Sequence, residues 1–334
     1  MSVSDFVALV GQDLAPSLLR LFAGLVMGLL LASVLEALNW VRFLAKLAKP
    51  LARAARLSES ARAAFALSFI SPAAANSLLA NAHSGGLISG RELMLANLFN
   101  SLPAYLLHTP SIFLLAWPVL GLPAALYVGL TLLAATARTG FTIILGALLL
   151  PGPQNARAAH ISAAAPAASL PPAAQGGARG VALKILRRFT RRLPSLVLFT
   201  VPVYVLMHVL QRMGQFDLLE AWLAAHMAWL DFLKPEAMTV VALHLAAEFG
   251  PALGAAGFAL QSGALTPRDI VLALMVGNIL STPVRALRHQ LPSYSGFYRP
   301  ALALKLILAS QGFRAASMAL MTAAYWWCTA QNAD

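Results

Sequence analysis

The sequence is poor in charged residues and contains a single cysteine. Charged residues make up 11% of the 334-residue chain, whereas a soluble globular domain carries about 25%. This scarcity of charge, together with a mean hydropathy of +0.74, excludes an ordinary water-soluble domain. The lone Cys328 excludes a disulfide bond within the chain and a thiolate metal cluster. The sequence also lacks a Gly-x4-Gly-Lys-Ser/Thr motif and a Gly-x-Ser-x-Gly motif, so we do not expect an enzyme.

Acidic residues are scarce relative to basic ones, with 12 Asp and Glu against 24 Lys and Arg and a net charge of +12. In a soluble protein this excess would suggest nucleic acid as a partner. Long apolar runs favour another explanation, at 18–38, 124–150, 195–210 and 301–327. A helix needs about 20 apolar residues to cross a bilayer, and cytoplasmic loops of membrane proteins concentrate Lys and Arg. We therefore predict an all-α polytopic membrane protein whose partner is the lipid bilayer and not nucleic acid.

The chain divides into two similar halves around a linker. The divisions are a first half at 1–150, a linker at 151–193 and a second half at 194–334. The linker is rich in Ala and Pro and then strongly basic, which is typical of an exposed cytoplasmic segment. The stretch from Ser84 to Glu92 lines up, with one gap, with the stretch from Ser262 to Asp269. Because the shared order of features extends over each half, we predict an internal repeat.

The charge of two amphipathic segments predicts opposite orientations for the halves. The segment at 41–62 is basic, which favours a cytoplasmic interfacial helix, whereas its counterpart at 216–233 is acidic. The broken apolar segments at 65–86 and 238–263 are then re-entrant helical hairpins. This topology places both termini outside the cell inner membrane and the linker inside. A rival topology stays open, in which 65–86 and 112–122 are both full spans.

Polar residues and prolines interrupt the apolar segments at four places. The interruptions are Ser71 with Pro72, Asn100 with Pro103, Glu248 with Pro251, and Asn278 with Pro283. Proline breaks the hydrogen-bond ladder of a helix, and irregular backbone survives in a membrane only where protein or a water-filled cavity surrounds it. Inverted repeats with interrupted helices are a recurring construction of secondary transporters. We therefore expect the four interruptions to meet around a solute site near the middle of the bilayer.

At these residues the chain resembles the nucleoside-recognition or Gate-domain family of membrane proteins. The motifs that carry the resemblance are Phe249-Gly250-Pro251, Ser262-Gly263, Gly277-Asn278 and Thr282-Pro283-Val284-Arg285, with a first-half copy from Ser71 to Pro103. That family is related to spore-maturation membrane proteins and to the gate motifs of ferrous-iron transporter B. The resemblance implies helical hairpins that meet at a central site and a role in moving or gating a polar solute. The chain has no GTPase domain, so ferrous iron is less favoured than a nucleoside-like solute or an organic anion.

Three charged residues inside apolar segments are candidates for the solute site. Glu248 lies in the second hairpin, and Arg138 and Arg314 lie in the middle of long apolar runs. An ionisable residue in the membrane is costly and by default marks a functional path. The alternative is a structural ion pair between Glu248 and one arginine. His108 and His289 match across the repeat near the ends of spans, and we expect them at the membrane interface.

Uncharged polar residues beside the interruptions complete the predicted site. They are Ser71, Asn76, Asn100, Ser101, Asn278, Ser281 and Thr282. Such groups suit a sugar, a base or a dehydrated ion, but small polar residues also hold membrane helices together. No His or Glu cluster has the spacing of a metal site, so we expect no resident metal or cofactor. A coupling H+ or Na+ is compatible with Glu248.

Three functional hypotheses follow from the sequence. The first is a transporter or gated permease for a small polar solute, with a metal-ion permease as a variant of it. The second is a membrane scaffold or regulatory protein that keeps the fold and transports nothing, which predicts a packed centre. The third is an intramembrane enzyme that acts on lipid-linked phosphates. The sequence shows no convincing set of general acid and base residues for such an enzyme. A homo-oligomer is compatible with all three.

Overall fold

A computed structural model describes residues 50–69, 71–151, 232–247 and 249–331, together with isolated positions between 19 and 26 and between 183 and 194. These residues form helices and turns, with no β-strand among them. The predicted all-α fold is therefore confirmed for this part of the chain. Five predicted features lie outside the described residues, apart from a few positions: the first span, the linker, the apolar run at 195–210, the acidic helix at 216–233 and Glu248.

The helices of the two halves follow each other in a similar order. The first half contains α1 (Glu59–Ser68), α2 (Pro72–Ser84), α3 (Gly90–Phe99), α4 (Ser101–Leu120) and α5 (Leu122–Leu149). The second half contains α6 (Pro235–Ala247), α7 (Phe249–Gln261), α8 (Pro267–Arg285), a π-helical turn (Ala286–Gln290), α9 (Leu291–Ser295) and α10 (Pro300–Ala330). Helices α2 and α7 have the same length of 13 residues. A glycine with positive φ follows each of them, at 71° for Gly86 and 74° for Gly263.

Local capping explains where the short helices begin. The Ser71 side chain accepts a hydrogen bond from the Ala74 N–H, and Pro72 occupies the first turn of α2. Proline is well suited to that position, because its missing N–H would have no partner inside the helix. Thr266 caps α8 in a reciprocal arrangement with Asp269, in which each side chain bonds the other's backbone N–H. The break between α1 and α2 therefore follows directly from Ser71 and Pro72, as the sequence predicts.

Two predicted boundaries in the first half are wrong. The helix predicted over 41–62 is not continuous, because the chain turns at Arg56, where φ is 53°, before α1 begins at Glu59. The broken apolar segment therefore starts before residue 65. The segment at 112–122, which the rival topology treats as a separate span, is part of α4, which runs to Leu120 with Pro110 and Pro118 inside it.

The interruption predicted at Asn278 and Pro283 is also wrong. Helix α8 continues through both residues and ends at Arg285. The irregular backbone comes later, in the π-helical turn at Ala286–Gln290. Helix α10 does match the long apolar helix predicted near the C-terminus, and α5 matches the one predicted at 124–150.

Among the described residues, two apolar clusters lie at opposite ends of α5 and α10. The first apolar cluster joins α6, α7 and α8 to Ala124, near the start of α5, and to Met318, in the second half of α10. The second apolar cluster joins α1, α2 and α3 to Leu150, just after α5, and to Ala303, near the start of α10. Helices α5 and α10 therefore run antiparallel. The α1–α2 pair and the α6–α7 pair belong to opposite ends of the structure.

Two segments within the described residues are long and apolar enough to cross a membrane. Gly90–Leu120, which joins α3 and α4, has 31 residues and a mean hydropathy of 1.2, and Leu122–Leu149 has 28 residues and a mean hydropathy of 1.7. At 1.5 Å per residue either one exceeds the roughly 30 Å hydrocarbon core. Helix α5 also exposes large aliphatic side chains, including Leu133 at 54%, Ile144 at 56% and Leu148 at 75%.

Candidate functional site

A cavity of about 470 Å³, lined mostly by residues with polar side chains, lies where the two halves meet. Each of the helices α1 to α10 contributes at least one lining residue. The lining residues with polar or charged side chains include Asn76, Asn97, Asn100, Ser101, Tyr127, Arg138, Asn278, Arg285 and Arg314. Ligand cavities usually have volumes of about 300–1,000 Å³. The volume and the lining therefore suit one small polar molecule.

Asn278 is the most heavily bonded residue of the cavity. Its side-chain amide donates to the Tyr127 hydroxyl at 2.6 Å. Its Oδ1 atom accepts from Arg285 Nη2 at 2.9 Å and from Arg314 Nη2 at 3.1 Å. Arg285 also donates to the Asn278 backbone carbonyl at 3.2 Å. One neutral oxygen thus holds two guanidinium groups side by side.

That arrangement brings two positive charges close together in a partly buried place. Two unit charges 5–6 Å apart repel by about 3 kcal/mol at an effective dielectric constant of about 20. The asparagine oxygen carries no compensating charge. None of the described acidic residues lines the cavity. The electrostatic potential produced by the described lining is therefore positive.

Arg138 adds a third guanidinium from α5. The side chain is only 6% exposed and lines the cavity. Its Nη1 atom donates to Ser317 Oγ on α10 at 2.8 Å. Its buried Nε atom has no hydrogen-bond partner within the described part of the chain. A buried donor of this kind normally has a partner, because leaving it unpaired costs about 1–3 kcal/mol or more for a charged group.

Two asparagines of the first half present acceptors to the same cavity. Asn97 donates through Nδ2 to the Tyr294 hydroxyl at 2.9 Å. Its Oδ1 atom and that of Asn100 are buried and find no hydrogen-bond partner among residues 50–69, 71–151, 232–247 and 249–331. Asn100 stands at the break between α3 and α4. The first half therefore offers acceptors where the second half offers cationic donors.

The structure brings six of the ten predicted site residues together around the cavity. They are Asn76, Asn100, Ser101, Arg138, Asn278 and Arg314. Ser71 caps α2 instead, next to the cavity-lining Pro72. Ser281 and Thr282 do not line the cavity, because their hydroxyl groups donate back to the Asn278 carbonyl within α8. Glu248 falls outside the described residues.

Three residues that line the cavity are not among the predicted site residues. Arg285 belongs to a motif of the family resemblance and not to the predicted site, yet it follows Asn278 by seven residues, and two helical turns put both on one face of α8. That spacing was a usable signal. His108 and His289, expected at the interface, also line the cavity.

A close helix crossing supports the site from behind. A Cβ atom added at Gly277 would lie 2.8 Å from the Cβ atom of His244 on α6, so only glycine fits there. His244 is 2% exposed and its ring packs edge-on against Phe249, at 5.9 Å between ring centroids. Phe249 in turn stacks on Tyr127 at 5.8 Å. This chain of contacts holds the Tyr127 hydroxyl against Asn278.

Comparison with known proteins finds relatives of similar length. An uncharacterized protein of Methanocaldococcus jannaschii is 27% identical over 246 residues, covering 72% of this chain and 72% of that protein. A second uncharacterized protein of the same organism is 24% identical over 309 residues, covering 89% of this chain and 94% of that protein. A third is 25% identical over 281 residues, with 82% and 83% coverage. No family model and no solved structure matches the chain.

Proposed function

We propose that the protein is a multi-pass membrane transporter or gated permease that moves a small polar solute through the central cavity. The observation that supports this most is the place of the cavity. Side chains from every helix α1 to α10 surround it, most of them polar or charged, and an apolar cluster lies toward each end of the structure. Buried charges in a membrane protein are costly unless they serve a solute or ion path.

The packing supports an inverted repeat in the cell inner membrane. Helices α5 and α10 run antiparallel, and Phe141 on α5 meets Phe313 on α10 with 5.5 Å between ring centroids. The α1–α2 and α6–α7 pairs then act as re-entrant hairpins from opposite faces, as in transporters that expose a central site alternately. The exposed aliphatic face of α5 meets lipid. The segment at 41–62 and the linker are cytoplasmic, and both termini are outside.

The cavity also ranks the alternatives. A packed centre, which a non-transporting scaffold predicts, would leave no room for a cavity of about 470 Å³. A metal-cation permease conflicts with the guanidinium groups of Arg138, Arg285 and Arg314, because like charges repel strongly away from water. We propose no enzymatic step.

Solute flux into proteoliposomes tests this function. Labelled nucleosides, sugars, amino acids and organic anions are supplied with and without H+ and Na+ gradients. Ala104→Trp fills the cavity, whereas Leu133→Trp adds the same bulk on the exposed face of α5. We expect flux of at least one solute class through the wild type and the Leu133 variant, and background flux through the Ala104 variant. Equal flux through both variants, or background flux of all solutes through all three proteins, would reject transport through the cavity.

A further inference from the structure

We infer that the solute of the cavity is a small organic anion that also carries hydrogen-bond donors such as hydroxyl groups. Its acidic group, a carboxylate or a phosphate, binds between Arg285 and Arg314, within reach of Arg138. Its hydroxyl groups bind the asparagine oxygens of the first half. This inference rests on the proposed function and specifies which solute the transporter takes.

The guanidinium pair indicates where the acidic group of the solute binds. Arg285 and Arg314 approach each other at a single neutral atom, Asn278 Oδ1, with donor–acceptor distances of 2.9 Å and 3.1 Å. Carboxylate and phosphate oxygens accept charge-assisted hydrogen bonds that are about twice as strong as neutral ones. An oxyanion that takes the place of the amide oxygen therefore gains stronger hydrogen bonds from both guanidinium groups.

Arg138 extends the anion site across the two halves. Its Nη1 atom is held by Ser317, while its buried Nε atom has no partner in the described part of the chain. A planar guanidinium with an unused N–H is suited to a second oxygen of the same acidic group. Arg138 belongs to α5, Arg285 to α8 and Arg314 to α10, so one bound anion would tie both halves together.

The asparagine oxygens indicate where the hydroxyl groups of the solute bind. Asn97 is 2% exposed, and its Oδ1 atom, like that of Asn100, lacks a partner in the described structure. Both atoms are acceptors, so a hydroxyl or amino group of the solute satisfies them and a second acidic group does not. A simple inorganic anion uses the arginines and leaves these oxygens unpaired. The cavity thus favours an anion with a hydroxylated body.

Binding of matched probes to the full-length protein in nanodiscs tests both the acidic group and the hydroxyl groups of the inferred solute. Glycerol 3-phosphate is compared with propyl phosphate, which lacks the hydroxyl groups, and with glycerol, which lacks the phosphate. Glycerate and propionate form the equivalent carboxylate pair. We expect the hydroxylated anion of at least one pair to bind about tenfold or more tightly than its unhydroxylated counterpart, a ratio equal to one good hydrogen bond. Glycerol should not bind.

Variants then assign the two ends of the solute. Arg285→Gln and Arg314→Gln should weaken the anion about tenfold or more, whereas Arg299→Gln, a substitution of an exposed arginine at the start of α10, should not. Asn100→Leu should remove the advantage of the hydroxylated anion without changing binding of propyl phosphate or propionate. Thermal denaturation without ligand identifies variants that fail to fold. If Arg285→Gln fails to fold, Arg285→Lys is used in its place.

Binding and flux together separate this inference from the proposed function. Binding that depends on Arg285 without flux of the same anion would keep the anion site and reject transport of that solute. Flux of neutral nucleosides that is insensitive to Arg285→Gln would keep transport and overturn the anion site. No binding of any anion, or equal binding of hydroxylated and unhydroxylated anions, overturns the inference as well.

Discussion

The two halves of the chain begin their polar helices alike and end them differently. Ser89 accepts a hydrogen bond from the third residue of α3, and Thr266 does the same for α8. Helix α3 then stops after 10 residues, with Asn100 at the break. Helix α8 instead runs for 19 residues through Asn278 and becomes irregular only at the π-helical turn. Similar starts therefore lead to one interrupted and one continuous helix.

The difference gives the two asparagines different tasks. Asn278 sits inside a regular helix, and its side chain is hydrogen-bonded to Tyr127, Arg285 and Arg314. Asn100 sits at an interruption, and its Oδ1 atom has no partner among the described residues. One half thus holds its charges in place, while the other leaves buried acceptors of cavity-lining residues unpaired among the described residues. Helices of similar order in the two halves thus surround a cavity whose chemistry differs from one half to the other.

The largest expected effect concerns the opposite orientation of the halves. Ser84, the last residue of α2, and Ser262, the first residue after α7, are both exposed. Each is changed to cysteine in a Cys328→Ser background and treated with a membrane-impermeant maleimide on intact cells. We expect labelling of the Ser262→Cys protein on intact cells, and of the Ser84→Cys protein only after permeabilisation. Labelling of both from one side would reject the inverted arrangement.

The next effect compares the two asparagines directly. Asn278→Leu removes the acceptor of two guanidinium groups and the donor to Tyr127, so we expect it to lower the free energy of unfolding by about 3 kcal/mol or more. The Asn100 Oδ1 atom has no hydrogen-bond partner among the described residues, so Asn100→Leu should change the free energy of unfolding by less than about 1 kcal/mol. Equilibrium unfolding in mixed micelles measures both. Similar losses would show that both asparagines serve the structure alone.

A smaller effect concerns one close contact at a glycine in each half. A Cβ atom at Gly146 would collide with the backbone of Ala55, and one at Gly277 would lie 2.8 Å from His244 Cβ. We expect Gly146→Ala and Gly277→Ala each to lower the free energy of unfolding by about 1–3 kcal/mol. Gly140→Ala, with nothing within 4 Å, is the control and should be neutral or stabilising by up to about 1 kcal/mol. Unchanged stability of either variant would mean that the glycine and its contact residue lie farther apart.

The smallest effect distinguishes the carboxylates that begin α3 and α8. Asp269 accepts from the Thr266 N–H and pairs with Lys234 at 2.8 Å, although Lys234 is 48% exposed. Glu92 accepts only the Ser58 N–H, at 2.7 Å, among its described contacts. We expect Asp269→Asn to cost about 1 kcal/mol and Glu92→Gln about half of that, because a glutamine oxygen still accepts. A larger loss for Glu92→Gln, in thermal denaturation of both variants, would contradict this order.

Much of the fold could be predicted because it depends on local signals. The break at Ser71 and Pro72 follows from capping, and the long apolar runs predict α5 and α10 within a few residues. Proline was a poorer guide in longer helices. Pro110, Pro118 and Pro283 all lie inside continuous helices, since packing against neighbouring helices and local adjustment of the backbone compensate for the lost hydrogen bond.

The site could be predicted only in part, for a related reason. Polar residues in apolar segments were visible, so Arg138, Asn278 and Arg314 were found without the structure. Arg285 was missed because the positive-inside pattern explained it equally well. The bonding of Ser281 back to its own helix was also invisible, because it depends on which face of α8 meets the cavity. Residue type thus predicted membership of the site better than it predicted orientation.

The π-helical turn at Ala286–Gln290 makes the cavity sensitive to chain length. A π turn accommodates one more residue than an α turn, so the residues beyond it are rotated by about 100° relative to a regular continuation of α8. That rotation brings Tyr294 over the cavity and against Asn97. Deleting a single residue from the turn would let α8 continue regularly and turn Tyr294 away. An indel of one residue in this turn would therefore remodel the cavity more than many substitutions in its wall.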